Sequence, residues 1–355
     1  MMSNVPPTSG IRVPPEEMRI LVTALFEKAG TSRNDAEFMA RFLVQTDLRG
    51  VFSHGTQKVP GYIQMMLDGR VNRCPNILTV SETSTTRILD GDGGMGHFPC
   101  YQGTEWAIAN AKEHGLTAVT TSNHFHFGAA GHYTRMALEY DCIGVAVSSH
   151  RYRLDPKESI LRASRGSPIS IAIPAGEQPL LVLDMAATFL PWDLRLFKQY
   201  SQVYFRGLGL GAILQALGGI LAGIYKPEIQ LPQCRWESDQ GAFIAVFDVS
   251  RFLPINEFKK EMDRYIGEAQ KMKPFPGYKK AELSGGPEWQ REREYTRNGI
   301  PVSVEHQQSL EKIATQLEVE TPFGKYEHTR FDSHTTRMLS TWMSQNVRWF
   351  GRRVS

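Results

Sequence analysis

The feature that most constrains the fold is an uncharged stretch between Arg206 and Lys226. Residues 208–225 read LGLGAILQALGGILAGIY, and about 18 apolar residues are the lower limit for a helix that crosses a membrane. However, many of these residues are Gly or Ala, which add little transfer free energy, and Gln215 lies at the centre. The stretch therefore predicts a buried Gly/Ala-rich helix, with a single transmembrane helix as the alternative.

The composition is that of a folded protein with room for more than one core. The chain has 355 residues, of which 41% are hydrophobic and 22% are charged, and single cores rarely grow beyond about 250–300 residues. The formal net charge is only +3, whereas a nucleic-acid partner requires a dense basic face. We therefore expect two lobes and no nucleic-acid partner.

Cysteine usage and the N-terminal segment predict the compartment. The four cysteines (Cys74, Cys100, Cys142 and Cys234) are far apart and form no CxxC pair, so neither a disulfide framework nor a zinc ribbon is expected. Residues 1–15 are rich in Pro, Ser and Thr and lack the apolar centre of a signal peptide. This segment therefore predicts a loose lead-in, and the pattern favours a reducing cytoplasm.

The order of local patterns predicts three blocks along the chain. Helical patterns dominate up to Pro75, with prolines at the first helix start and Ser32 as a helix cap. Strand-like runs then alternate with helices, and they are Thr86–Asp90, Leu116–Thr121, Ile143–Ser148, 169–174, 179–187 and 242–250. Helices return at Glu257–Met272, Trp289–Arg297 and Leu310–Leu317. We predict a helical lobe from 14–75 and 285–322, a central α/β lobe at 76–284, and a tail at 331–355 of unassigned role.

The first candidate site follows the second helix and reads SHGTQKVPGY. His54 lies between Ser53 and Gly55 on a predicted turn, where an imidazole can act as a general acid or base near neutral pH. Lys58 and Tyr62 follow at spacings of four, so they share a helix face. A cation, a phenol and an imidazole suit a small carboxylate substrate with an adjacent carbonyl. The alternative is a surface loop with a solvated Lys and His.

The second candidate reads NHFHFGAAGHY and contains three histidines within nine residues. His124 and His126 would point to opposite faces of an extended segment, and no metal-binding frame supports them, so we expect no metal. Instead, Gly128 to Gly131 form a turn between a strand and a helix. Backbone N–H groups at such a turn can face a cofactor phosphate at the helix N-terminus.

A Rossmann site is not expected. Its GxGxxG fingerprint directly follows a strand and precedes an acid by roughly 20 residues. The nearest approach, Gly207 to Gly211, leads into the apolar stretch without that frame.

The third candidate is Asp184, which closes the strongly apolar run PLLVLDMAA. Burying a lone carboxylate is costly, so this acid needs a partner. It could hold a histidine in one tautomer and stabilise its protonated form. The alternative is an Asp that caps the following turn.

Taken in order, these motifs resemble the malate/L-lactate dehydrogenase family. The resemblance runs from about Pro15 to Pro322 and rests on SHGTQKVPGY with GRV, NHF/GAAGHY, PLLVLDMAA, RGLGLGAILQALGGILAG and SGGPEWQREREYTRNGIPV. It implies a non-Rossmann α/β fold with a mixed, mainly antiparallel central sheet, a homodimer, and NAD or NADP bound by the central lobe.

The resemblance also assigns roles to particular residues. It makes His54 the acid/base and places Asp184 beside it, with Ser53, Lys58 and Tyr62 meeting the substrate. The implied cofactor contacts are His124, His126, Gly128, Gly131, Ser148, Ser167, Arg206 and Gly207.

Several positions depart from the family pattern. Lys58 stands where the family usually has an arginine, so a point charge replaces a guanidinium that can bind a carboxylate through two hydrogen bonds. An inserted His-Phe pair lengthens the NHFGAAG-like turn, so either His124 or His126 corresponds to the family's histidine. The GTNP signature reads RGSP at 165–168, and a segment between Leu190 and Arg206 is missing near the cofactor.

Two functions remain open at this point. The leading hypothesis is hydride transfer between NAD(P)H and a small 2-oxo/2-hydroxy acid or cyclic imine. The alternative is a non-catalytic family member that has lost part of the cofactor site and serves in binding or assembly.

Overall fold

The computed structural model describes residues 4–163 and 166–332. The predicted tail at 331–355 therefore lies outside the described residues except for its first two positions, and Arg165 also lies outside them. The described α-helices are α1 (Pro15–Lys28), α2 (Arg33–Leu48), α3 (Val59–Leu67), α4 (His97–His114), α5 (Ala130–Leu138), α6 (Leu194–Gln215), α7 (Ile255–Gln270), α8 (Gly286–Asn298) and α9 (Val304–Gln316).

The described strands form two separate sheets. They are β1 (Ser9–Val13), β2 (Leu78–Glu82), β3 (Thr86–Asp90), β4 (Leu116–His124), β5 (Cys142–His150), β6 (Pro168–Ile173), β7 (Leu181–Ala186), β8 (Gln240–Asp248), β9 (Ile300–Val302) and β10 (Phe331–Asp332). The central sheet has the order β2-β3-β4-β8-β5-β6-β7. Its pairs are antiparallel except β3 with β4, and this confirms the predicted mixed, mainly antiparallel class.

The smaller sheet joins the two ends of the described chain. Strand β1 pairs with β9 through Ile11 and Val302, and with β10 through Gly10 and Phe331. Ile11 and Val13 are completely buried. The prediction of a loose lead-in up to residue 15 was therefore wrong from Ser9 onwards, because partners about 300 residues away give this segment its hydrogen bonds.

The N-terminal helices pack as their apolar patterns predict. The Ser32 hydroxyl accepts a hydrogen bond from the Asp35 N–H and caps α2, and α1 and α2 bury Leu25, Phe42 and their neighbours against each other. The same core includes Ala146 of β5, so helices and sheet share one apolar interior. The division into two lobes stays a prediction.

Helix α6 differs from its prediction in length and in burial. It begins at Leu194, bends at Tyr200, and continues as a π-helical turn over Ala216–Leu221. Gly207 and Gly211 lie inside it, so they form no nucleotide-binding turn. Gly218 approaches the Ser148 backbone on one face, whereas the opposite face is exposed. Residues Leu194–Leu221 are also long and apolar enough for a membrane span by length and composition alone.

Candidate active site

A cleft of about 700 Å³ lies where the central sheet meets the N-terminus of α8. Ligand pockets usually measure about 300–1,000 Å³, so the cleft is large enough for an extended ligand. Its walls come from the loop that carries His54 (residues 50–58, called the SHG loop), the turn before α5, the ends of β5 and β7, and the segment 282–291. The predicted site residues in these walls are His54, His126, Gly128, Ser148 and Asp184.

His54 lies on a short 3-10 turn and is held from one side. Its Nδ1 is 2.7 Å from the Ser53 hydroxyl, and that hydroxyl lies 2.8 Å from the Asn4 side-chain oxygen. Desolvation, with a smaller contribution from the positive charge of Lys58, lowers the pKa of His54 to about 4. The imidazole is therefore neutral near pH 7 and ready to accept a proton.

His126 stacks on His54, with ring centroids 5.4 Å apart. Its Nδ1 lies 2.5 Å from the Tyr62 hydroxyl and accepts the Gly128 N–H at 3.3 Å. Because a backbone N–H can only donate, Nδ1 acts as an acceptor, and a neutral ring must carry its proton on Nε2. Burial lowers the pKa of His126 and raises that of Tyr62, so both remain neutral at physiological pH.

His124 lies in the core and does not reach the cleft. It is completely buried, with Nε2 2.8 Å from the Thr121 hydroxyl and Nδ1 2.7 Å from the Phe125 carbonyl oxygen. A register shift between Thr121 and His124, together with a positive φ at Asn123, turns the chain here. The two histidines that the sequence left as alternatives thus occupy different environments, and only His126 lines the cleft.

Asp184 occupies the N-terminus of α5. Its Oδ2 accepts the Gly131 N–H at 2.9 Å, which is one of the amides that the sequence assigned to a cofactor phosphate. A phosphate at this point would have to compete with the carboxylate. Desolvation raises the pKa of Asp184 to about 6, and the charge of Arg135 opposes that rise. Ser53, not Asp184, is the hydrogen-bond partner of His54 in the described structure.

The remaining predicted residues are spread around the cleft. Ser53 is buried behind His54, and Lys58 is half-buried on the same loop. The Ser148 hydroxyl donates to the Gly241 carbonyl at 2.7 Å, and Ser167 is 2.9 Å from Ser149. Arg206 is exposed on α6, and Gly207 packs on Ala187 and Phe189. Of these six predicted residues, Ser148 alone is among those that line the cleft.

Beneath the SHG loop lies a polar cluster that the sequence did not reveal. Asp47 of α2 is completely buried, and its Oδ2 accepts the Thr56 N–H at 3.1 Å and the Thr56 hydroxyl. The Thr56 oxygen is in turn 3.2 Å from His306 Nε2 of α9. These contacts fix the loop that carries His54, and desolvation raises the pKa of Asp47 to about 7.

Further residues of the cleft also lacked a sequence signal. Glu282, Arg291 and Arg135 line it, and Glu282 Oε2 is buried without a hydrogen-bond partner among the described residues. Such an acceptor fits a hydroxyl-bearing ligand. In residues 4–163 and 166–332, no group of three His, Cys, Asp or Glu side chains is placed to hold a metal ion.

Comparison with known proteins identifies the family. The sequence profile of the malate/L-lactate dehydrogenase family matches residues 13–194 and 200–311. The chain belongs to the malate/L-lactate dehydrogenase family. The unmatched residues 195–199 lie in the first turns of α6, beside the bend at Tyr200, and this is where the sequence departed from the family pattern.

Individual members support the assignment over most of the chain. Malate dehydrogenase of Pyrococcus horikoshii is 29% identical over 348 residues, which is 87% of this chain and 96% of that protein. The NAD(+)-dependent ureidoglycolate dehydrogenase of Escherichia coli K12 is 22% identical, over 89% of this chain and 100% of that protein. The solved structure of the Pyrococcus horikoshii malate dehydrogenase superposes with a TM-score of 0.75 at 28% identity. The superposition covers 88% of this chain and 97% of that chain. The predicted family and fold are confirmed, and the chain is an oxidoreductase of this family.

Proposed function

We propose that the protein transfers a hydride between NAD(P) and a small 2-hydroxy acid or its 2-oxo form. The observation that carries this proposal is the pair of His54 and His126 on the wall of a ligand-sized cleft, with the buried Tyr62 hydroxyl bonded to His126. A family of dehydrogenases supplies the reaction class, and the cluster supplies a proton acceptor and an oxygen-binding group. A bound nicotinamide would provide the hydride acceptor or donor.

His54 is the proton acceptor in the oxidation direction. The hydroxyl proton must leave as the C–H bond gives up its hydride, and a neutral imidazole can take it. Lys58 shares the loop and gives the positive charge that a substrate carboxylate requires. Binding of that carboxylate offsets the charge of Lys58, so the pKa of His54 rises when substrate is present.

His126 donates a hydrogen bond to the reacting oxygen. Its Nδ1 is occupied by Tyr62 and Gly128, so the Nε2–H is the group available to a ligand. A neutral imidazole donor stabilises negative charge on that oxygen without changing its own protonation state. Tyr62 therefore acts by fixing the tautomer and the ring orientation of His126.

The cleft residues fit a dinucleotide in three respects. Gly128 and Gly285 line it with backbone atoms alone, Arg291 offers a positive charge for phosphate, and the unpartnered Oε2 of Glu282 suits a ribose hydroxyl. The last feature favours NAD over NADP, because a carboxylate repels a 2′-phosphate. The amides at Gly128 and Gly131 are already bonded, so we assign the phosphates to the α8 side of the cleft.

Replacing His54 tests the proposed role of the imidazole. His54→Ala should reduce turnover by at least 100-fold, since general acid–base catalysis typically contributes about 10²–10⁴-fold. Nicotinamide binding should be unchanged within about twofold. His114→Ala, at a surface histidine, is the matched control. Retained turnover in His54→Ala would remove His54 from the mechanism, whereas joint loss of turnover and cofactor binding would indicate a folding defect.

The substrate class follows from a screen against malate, lactate, ureidoglycolate and cyclic imino acids. We expect turnover with compounds that carry a carboxylate next to the reacting carbon, because Lys58 is the cation on the catalytic loop. Turnover confined to cyclic imines would assign C=N reduction instead. Absence of turnover despite nicotinamide binding would favour a non-catalytic role in binding or assembly.

We further propose that the working form is a cytoplasmic homodimer. Phe205, Ile213 and Ile220 leave about three fifths of their surface exposed on one face of α6, and a second copy of the chain would cover it. A lipid-crossing role is disfavoured because Gln215 bonds to Ser149 and holds α6 on the sheet. Ile213→Asp should give a monomer in light scattering, while Ile160→Asp should not. Recovery of the wild type only in detergent would contradict this.

A further inference from the structure

The acid/base role proposed for His54 depends on which ring nitrogen carries the proton of the neutral imidazole. Nδ1 lies 2.7 Å from the Ser53 hydroxyl oxygen, so Nε2 is the nitrogen that remains for a substrate. Nε2 can accept a proton only if the ring proton is on Nδ1. The Ser53 hydroxyl could accept from Nδ1–H or donate to a bare Nδ1, and the distance alone does not separate these two arrangements.

The Asn4 side chain determines the direction of this hydrogen bond. Its Oδ1 lies 3.2 Å from the Ser53 backbone nitrogen and 2.8 Å from the Ser53 hydroxyl oxygen. A backbone N–H can only donate, so the Asn4 atom that it meets is the carbonyl oxygen and not the amide nitrogen. The Ser53 hydroxyl has a single proton, which it donates to this oxygen. Its own oxygen then accepts from His54, whose proton is therefore on Nδ1.

Strand β1 brings Asn4 to the loop that carries His54. Ile11 of this strand is completely buried and pairs with β9, so the chain is anchored a few residues after Asn4. Pro6 and Pro7 lie between them, and because a proline ring fixes φ near about −65°, the connection has few conformations to choose from. Asn4 itself lines the active-site cleft. The N-terminal segment is therefore part of the site that the SHG loop forms.

We propose that Asn4 is a positioning residue that acts on His54 through Ser53. It keeps the proton of the neutral ring on Nδ1, which leaves the lone pair of Nε2 free to take the substrate hydroxyl proton during oxidation. After that transfer both ring nitrogens carry protons, and Nδ1–H still donates to the Ser53 oxygen. In reduction the Nε2 proton goes to the product oxygen, and the ring returns to the same tautomer. This inference rests on the proposed role of His54.

Asn4→Leu removes the acceptor at nearly constant side-chain size. The Ser53 hydroxyl is then free to rotate and donate to Nδ1 of His54, which places the ring proton on Nε2 and removes the lone pair there. We expect kcat/KM for oxidation to fall about fivefold, the equivalent of one hydrogen bond, while NADH affinity stays within twofold. Asn34→Leu is the matched control, because Asn34 is exposed on α2, and it should leave kcat/KM unchanged.

Asn4→Asp keeps an acceptor oxygen at this position and adds a negative charge. The Asn4 oxygen is at most two hydrogen bonds away from His54 Nδ1, and an opposite charge at such a distance raises the pKa of an imidazole. The titratable groups that already face His54 are Lys58, His126 and His97, and the substitution leaves them in place. We expect the fall in kcat/KM at low pH to move upwards by about one pH unit. A purely structural role of Asn4 would not move this profile.

Nitrogen-15 NMR of histidine-labelled full-length protein tests the tautomer directly, because bare and proton-bearing ring nitrogens have well-separated resonances. Coupling to the ring C–H protons tells Nδ1 from Nε2, and the His54 signals are identified by their loss in His54→Ala. We expect a bare Nε2 in the wild type and in Asn4→Asp at about pH 7, and a mixture of tautomers in Asn4→Leu. A wild-type proton on Nε2, or an unchanged tautomer in Asn4→Leu, overturns the inference.

A double-mutant comparison tests whether Asn4 acts through Ser53. In a Ser53→Ala background, Asn4→Leu should have no further effect on kcat/KM, and a second fivefold loss there would overturn the proposed connection. The outcomes also separate this inference from the proposed function. If the protein turns over no hydroxy acid, the proposed function fails while the NMR result on the tautomer stands. If turnover is normal and Asn4→Leu changes neither rate nor tautomer, only the role of Asn4 fails.

Discussion

Asp47→Asn replaces one oxygen in the support of the loop that carries His54. In the wild type, Asp47 Oδ2 holds Thr56, while Oδ1 is buried without a hydrogen-bond partner in residues 4–163 and 166–332. Desolvation raises the pKa of this carboxyl to about 7. Asparagine keeps the shape and the acceptor oxygen for Thr56 but cannot ionise, so the substitution isolates the cost of the buried charge.

The magnitude follows from the difference in proton binding between the two states. An aspartate in an unfolded chain ionises near pH 3.9, whereas folded Asp47 keeps its proton up to about pH 7. Between these values the folded state binds more protons, so this contribution to stability is present at low pH and is lost as the pH rises. The loss is about 1.4 kcal/mol per pH unit while folded Asp47 stays protonated, and it tapers towards pH 7, so it amounts to about 2 kcal/mol between pH 5 and pH 7.

Urea unfolding of both proteins at about pH 5, 6 and 7 measures this loss. We expect the stability of Asp47→Asn relative to wild type to increase by about 2 kcal/mol across that range. Subtracting the two stabilities cancels the contribution of the buried histidines, which both proteins share. The lowered pKa values of these histidines make stability increase as the pH rises, which is the opposite trend. Asp68→Asn, at an exposed position, should show no such trend. A difference that is constant with pH would refute a buried and uncompensated Asp47 carboxyl.

Three further substitutions test the cleft. Tyr62→Phe removes the hydroxyl that fixes His126 and should lower kcat about fivefold with little change in KM, because a single hydrogen bond is worth about 1 kcal/mol. An unchanged kcat would contradict its role. Lys58→Gln should raise KM for a carboxylate substrate by about tenfold or more, with Lys58→Arg as the conservative control. Gly131→Ala places a methyl group against Asp184, so we expect a folded variant that binds nicotinamide more weakly. Normal nicotinamide affinity would show that Asp184 can move freely.

The pH dependence of oxidation provides a separate check on His54. Its pKa is lowered to about 4, so the base form is already complete near pH 6. We expect kcat/KM for oxidation of the hydroxy acid to be level above about pH 5 and to fall below it. Reduction requires the protonated form, so its rate should fall as the pH rises. A fall in kcat/KM for oxidation centred near pH 6.5 would show that the His54 imidazole of the free enzyme is not desolvated.

The sequence predicted six of the seven strands of the central sheet, because each of the six is an apolar run bounded by turn residues, whereas the edge strand β2, exposed at all five residues, was missed. Thr86–Asp90 was placed with its observed bounds, and the other runs were correct to within a few residues. Strand β1 was missed because its hydrogen-bond partners, β9 and β10, are almost the whole chain away. The early start of α6 was missed because no apolar run marks it before Arg206.

The site was predictable only where a motif marked it. His54, Tyr62 and His126 were all found from their segments, but which of His124 and His126 faces the cleft depends on the register shift and the left-handed backbone at Asn123. No sequence signal marked Asp47, since an acid inside a helix normally faces solvent. The sequence did not predict that Asp184 lies at the N-terminus of α5. The structure places it there, because its carboxylate accepts a hydrogen bond from the Gly131 N–H.

Fluorescence titration of the purified protein with NADH and NADPH shows whether the cleft binds a nicotinamide cofactor. We expect saturable binding with enhanced nicotinamide fluorescence, tighter for NADH because Glu282 faces the cleft. Binding should persist in His54→Ala. If a well-folded protein binds neither nucleotide, the cleft is not a working cofactor site, and the chain is a non-catalytic member of its family.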